Sequence, residues 1–116
     1  MHELSYTRSI LDAVVLSAKS AGARQVKSVH LVIGEMRDIV EDLFCGCFGY
    51  LAKGTIASGA EISIVKPPLT LCCRGCDTVF RADAFSSEKI ACPQCNESDY
   101  AVNGGMEFYI DSIEIC

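Results

Sequence analysis

Cys73-Arg74-Gly75-Cys76 and Cys92-Pro93-Gln94-Cys95 stand fifteen residues apart, and these two knuckles decide how the second half of the chain folds. Two residues between cysteines let a tight turn aim both sulfurs at one point, and a second such turn completes a tetrahedron. Four thiolates so arranged suit Zn(II), with iron in a rubredoxin-like site as the chemical alternative. They leave the ion no open position. Such a metal is structural, so the function must be sought elsewhere. Cys72 abuts the first knuckle and could stand in for Cys73 through a C-x3-C spacing, but the symmetry of two x2 knuckles favours Cys73.

Working outward, Pro67-Pro68 can continue neither a ladder nor a helix and marks a boundary on the N-terminal side. On the other side, Asn103-Gly104-Gly105 signals a turn, and Met106 to Ile115 reads as a last strand whose alternation slips near Asp111-Ser112. Too little sequence follows the knuckles to build another domain, so this isoleucine-rich strand is expected back in the sheet of the first lobe. Residues 1–68 and 101–116 then make a discontinuous α/β domain, and residues 69–100 are an inserted zinc-binding lobe. The expected fold class is α+β: two helices on a small mixed three-stranded sheet, with an inserted zinc-ribbon lobe.

The first half supplies the helices and the other strands. Thr7, Ile10, Leu11, Val14, Val15 and Ala18 recur at spacings of three and four, which predicts a helix over Glu3–Ala21 stopped by Gly22. Val29, Leu31 and Ile33 alternate with polar neighbours in a strand over Gln25–Glu35. Asp38 with Glu41 three residues on resembles a capping box and opens a second helix, with Leu43, Phe44, Cys47, Phe48 and Leu51 as its apolar face. Ala60–Lys66 reads as a strand with Ile62 and Ile64 on one face. His30 sits mid-strand and is read as a packed or hydrogen-bonded sheet histidine. Cys45 and Cys47 would point about 200° apart on a helix, a poor shared chelate.

Composition narrows the function classes. The chain has 116 residues, eight cysteines and a formal charge of −5. Paired cysteine spacing, an adequate core and an N-terminus without a continuous apolar block favour the reducing cytoplasm over a secreted disulfide scaffold. No apolar run approaches the ~20 residues that span a bilayer, so no membrane association is expected. Phosphate binding needs Lys and Arg, yet between Leu69 and Tyr100 three basic residues face five acidic ones, and no nucleic-acid partner is expected. A Ser-His-Asp set, a Gly-rich phosphate loop and an HExxH motif are all missing from the sequence, so an enzyme is not expected.

Met1-His2-Glu3 offers a different chemistry. A free terminal amine, the deprotonated His2 amide nitrogen and His2 Nδ1 close a five-membered and a six-membered chelate ring on one ion. Planar nitrogen donors suit Ni(II) or Cu(II), and Glu3 is an adjacent candidate for the fourth position.

Taken together, the chain resembles the HypA/HybF-type hydrogenase nickel-incorporation proteins. The resemblance runs through Met1-His2-Glu3, Val32-Ile33-Gly34-Glu35, Phe44, the paired knuckles and the isoleucine-rich last strand. It implies Ni(II) as transient cargo on the Met1 amine, His2 and Glu3, and structural Zn(II) on Cys73, Cys76, Cys92 and Cys95. It also implies delivery of nickel to the [NiFe]-hydrogenase large subunit with a nickel-binding GTPase accessory protein, and in some organisms service to urease. A homodimer is an admissible assembly. Some relatives carry a further histidine in the zinc lobe that completes the nickel site. The only histidines here are His2 and His30, which leaves Glu3, water or a partner's group as the fourth donor. The competing reading is a zinc-ribbon protein-interaction adaptor without nickel delivery.

Overall fold

The computed structural model describes residues 3–83 and 89–116, the side chain of Glu3 excepted. The chain forms two compact units, one from Met1–Val32, Ile39–Val65 and Tyr109–Cys116, the other from Ile33–Asp38 and Lys66–Phe108.

In the first unit, helix α1 (Glu3–Ser20) buries Thr7, Ile10, Leu11, Val14 and Ala18 along one stripe, the spacing of a helix packed on one side. It ends where Gly22 takes φ 76°, a conformation that costs glycine nothing. Helix α2 (Glu41–Ala52) packs against α1 and buries Phe44, Phe48 and Ala52. The two rings stack with centroids 6.5 Å apart.

The start of α2 departs from the expected capping box at Asp38. The chain first makes a 3-10 turn over Glu35–Arg37, and Asp38 closes that turn in the left-handed region at φ 55°. Helix α2 then begins at Glu41 behind Val40, with no side-chain cap. Aspartate visits the left-handed region more readily than most residues, and the turn uses it there. The inward face also rotates: Leu43 is half exposed, and Ala52 takes the buried position.

Strand β1 (Val26–Ile33) is central to a three-stranded sheet in the order β2-β1-β6. Strand β2 (Glu61–Val65) runs parallel to it, with Val29 opposite Ile62 and Leu31 opposite Ile64. A parallel neighbour needs a crossover, and α2 supplies it. Strand β6 (Phe108–Ile115) lies on the other side. Gln25 and Cys116 exchange backbone hydrogen bonds at one end, while the Gly34 amide donates to Glu107 at the other. Start against end makes this pair antiparallel and the sheet mixed. The last strand thus begins at Phe108 rather than Met106, and its half-buried positions pass from Phe108 and Ile110 to Ile113, the same slip the sequence carries.

On β1, Val29, Leu31 and Ile33 are buried, and His30 points to the opposite face. His30 Nε2 lies 2.9 Å from Glu114 Oε1, and the Ser28 hydroxyl donates to that oxygen at 2.6 Å. His30 is therefore a hydrogen-bonded sheet residue. The Glu114 carboxyl is held below its ordinary range, by the Ser28 hydrogen bond first and by His30 next.

The second unit is built on an antiparallel sheet in the order β4-β3-β5, made of β3 (Thr70–Cys73), β4 (Val79–Arg81) and β5 (Tyr100–Gly104). The segment Ile33–Asp38 is bonded into this unit. Glu35 N–H donates to the Pro67 carbonyl at 2.9 Å, Met36 N–H to Gly105 at 2.8 Å, and the Arg37 side chain to Met106 at 2.7 Å. Glu35 Oε2 in turn accepts the Leu69 amide at 2.7 Å. A Cβ on Gly34 would collide with the Gly105 carbonyl, and one on Gly105 would come within 2.8 Å of Leu69 Cα. The Gly34-Glu35 pair is thus a backbone clamp: the glycine admits the close approach, and the carboxylate satisfies an amide that no strand partner reaches.

Candidate metal centre

The two knuckles are built alike. Each opens with a cysteine whose amide donates to a carbonyl five residues on: Cys73 to Thr78 and Cys92 to Glu97, both at 2.9 Å. Each is closed by a residue in the left-handed region just past its second cysteine, Asp77 at φ 62° and Asn96 at φ 63°. Asp77 N–H bonds back to Cys73 O at 2.9 Å, and Asn96 N–H to Cys92 O at 2.8 Å. Asp and Asn tolerate this conformation better than other non-glycine residues, so local sequence sets the turn that aims the sulfurs.

The result is one cluster. The sulfurs of Cys73, Cys76, Cys92 and Cys95 all lie within 4.8 Å of one another. Cys73 and Cys95 are 3.4 Å apart, and Cys76 and Cys92 3.6 Å. A tetrahedral site with Zn–S bonds near 2.3 Å has sulfur–sulfur edges of about 3.8 Å, so the donor set fits zinc without rebuilding. Cys73 and Cys92 are buried, whereas Cys76 and Cys95 are exposed.

Backbone amides face every sulfur. Gly75 N–H donates to Cys73 at 3.3 Å and Gln94 N–H to Cys92 at 3.4 Å, while the Thr78 and Glu97 amides serve Cys76 and Cys95. The Thr78 hydroxyl and then its amide pull the Cys76 thiol down to about 6. For Cys95 the Glu97 amide acts downward, but the crowding Cys73 and Cys76 sulfurs push the group up to about 12. Four thiols this close cannot all ionise beside one another, and a divalent cation removes that conflict. Arg74 ties the first knuckle to the chain beyond the second through Asp99, side chain to side chain at 3.1 Å.

Cys72 stands outside the cluster, its thiol directed to the carbonyls of Cys73 and Asp77. Successive strand residues face opposite ways, so Cys72 and Cys73 cannot both turn inward. Burial raises the Cys45 thiol, and Glu41 and Asp42 raise it further. Met1, His2 and the Glu3 side chain lie outside the described residues. The sequence reading missed Thr78 and the Gly34-Glu35 clamp. The only advance signal was the Asp or Asn following each knuckle.

A family model described as "Hydrogenase/urease nickel incorporation, metallochaperone, hypA" matches residues 1–115. The chain belongs to the HypA family. Among curated HypA relatives, the hydrogenase maturation factor HypA of Dehalococcoides mccartyi (strain CBDB1) is 39% identical over 115 residues, covering 99% of this chain and 94% of that one. A solution structure of a HypA protein superposes with a TM-score of 0.76 at 26% identity, covering 100% of this chain and 97% of that one. The solution structure of the nickel metallochaperone HypA from Helicobacter pylori gives 0.65 at 25% identity, covering 99% and 97%. The α+β fold with a four-cysteine lobe is thus the HypA fold. Among the described residues, no helix is long and apolar enough to cross a membrane.

Proposed function

We propose that this HypA protein is a nickel metallochaperone that binds Ni(II) at its N-terminus and passes it on during maturation of [NiFe]-hydrogenase. The observation that carries this reading is the family match over residues 1–115, which takes in Met1-His2-Glu3 together with all four knuckle cysteines. Cys73, Cys76, Cys92 and Cys95 hold Zn(II), which supplies folding energy to residues 69–100 and takes no part in delivery. The first unit, which begins at Met1, carries the nickel end.

Ni(II) is the cargo. The Met1 amine, the His2 amide nitrogen and the His2 imidazole bind it, with Glu3 near the fourth position. Such a terminal chelate forms and opens easily, because protons compete for the amine, amide and imidazole, and a partner offering thiolates can strip the ion. The receiving partners are a nickel-binding GTPase and the hydrogenase large subunit, met in the cytoplasm where thiols stay reduced. The protein's role is transfer of an ion rather than catalysis of a bond change.

Calorimetry with Ni(II) on untagged wild type and His2→Ala tests the site. The variant should lose this binding while keeping its zinc, and an N-terminal extension should act like the mutation by removing the amine donor. Nickel binding should also weaken as pH falls below about 6.5, where imidazole takes up a proton. Equal nickel binding by wild type and His2→Ala would remove the site.

A further inference from the structure

In the bonds that close each turn and face its sulfurs, the two knuckles match except at one position. Thr78 and Glu97 are equivalent: each sits two residues past the second cysteine, accepts the first cysteine's amide through its carbonyl, and donates its own amide to the exposed sulfur. Beyond the backbone they differ. The Thr78 hydroxyl lies 3.0 Å from Cys76 Sγ. The Glu97 carboxylate turns away and accepts the amides of Ser98 at 2.9 Å and Asp99 at 3.3 Å. A carboxylate occupied in accepting two amides is directed away from Cys95 and offers its sulfur no donor. Among the described residues, Cys76 therefore has two donors and Cys95 has one.

We propose that Thr78 is a positioning residue of the metal centre: its hydroxyl guards Cys76, leaving Cys95 as the sulfur at which the bound ion is opened to attack and exchange. When the cluster holds zinc, both exposed sulfurs are thiolates, and the hydroxyl must be the donor to Cys76. A hydrogen bond to a charged acceptor is among the stronger ones in proteins. It draws electron density from the thiolate lone pair that would otherwise engage an electrophile or a competing metal. Cys73 and Cys92 are shielded by burial, so the order of attack is decided between Cys76 and Cys95. The hydroxyl decides it. This inference concerns the zinc lobe and does not depend on nickel binding.

The test is limited alkylation of the zinc-loaded full chain with N-ethylmaleimide, followed by peptide mapping of all eight cysteines. In wild type, Cys95 should be modified before Cys76, by roughly tenfold for one hydrogen bond to a charged group. Thr78→Val keeps the shape without the hydroxyl and should bring the two rates together. Thr78→Ser should restore the gap, which a purely steric role for Thr78 would not do. Where Thr78→Val fails to load zinc, Glu97→Thr provides the reverse experiment, since a hydroxyl placed over Cys95 should slow its modification. Cobalt-loaded Thr78→Ser and wild type should also share the same thiolate-to-metal absorption band. Equal modification of Cys76 and Cys95 in wild type overturns the proposal, as does an unchanged ratio in zinc-loaded Thr78→Val.

Discussion

The two compact units of this HypA protein are stabilised by different means. The first buries a continuous apolar set in which Leu11, Val14, Val29, Leu31, Phe44 and Phe48 are all nearly inaccessible to water. In the second, the buried apolar side chains among the described residues are, beyond Ile33, Leu69, Leu71 and two of the cysteines themselves. So small a core cannot offset the entropy of ordering its chain, and units of this kind are held by a metal. Hydrophobic burial therefore sustains one unit, and the other depends on the sulfur ligation proposed above. The two should fail separately.

The largest expected effect is zinc loss. Structural zinc contributes on the order of 10–16 kcal/mol at neutral pH in small zinc-dependent folds. Cys73→Ala or Cys95→Ala should release the ion, and hydrogen exchange should show strands β3, β4 and β5 unprotected while α1 and α2 stay protected. Full zinc occupancy in either variant would mean the ligand set is wrong. The converse change is Phe44→Ala, which empties a fully buried aromatic site and should destabilise the first unit by roughly 3–5 kcal/mol. Urea denaturation followed by helix signal should report that loss while zinc content stays at one ion per chain. Loss of zinc in parallel would show that the units do not fail independently.

Smaller effects sharpen the contrast. Glu35→Ala leaves the Leu69 amide without its acceptor and should cost about 1–3 kcal/mol, read as faster exchange at Leu69 and faster zinc release to a chelator. Unchanged exchange would assign that amide another acceptor. The smallest effect belongs to Glu114, an exposed group whose pKa lies below the ordinary value of 4.5 through Ser28 and then His30. A depressed carboxyl contributes stability that is present above its unfolded pKa and is lost as pH falls through its folded one. Glu114→Gln should therefore flatten the acid limb of the stability profile below pH 4.5. An identical acid limb in both proteins would show that the Ser28–His30–Glu114 contact contributes nothing.

How much of this was legible beforehand depended on how far apart the interacting residues stand. Helix α1, strand β2 and the knuckles were readable because their signals lie within a few residues: apolar spacing in the first two, and paired cysteines in the last. The start of α2 was misread because an aspartate followed three residues later by a glutamate serves equally in a capping box or in a left-handed turn. Local sequence does not choose between them. Glu35 offered no sign of its role, since its partner amide is 34 residues away, and the His30–Glu114 contact spans 84.

By itself, the sequence determined the chemistry available to this protein: four thiols in two turns, a histidine directly after the first methionine, and an apolar face on each helix. These depend on residue type and short spacing, which survive whatever the rest of the chain does. Tertiary structure alone decided how those groups are used. It set which sulfurs are buried and which exposed, placed a hydroxyl over Cys76 and, among the described residues, none over Cys95, and brought the Gly34 and Gly105 backbones so close that no side chain fits between them. Burial and long-range hydrogen bonds depend on where distant segments meet, and no local pattern encodes that meeting.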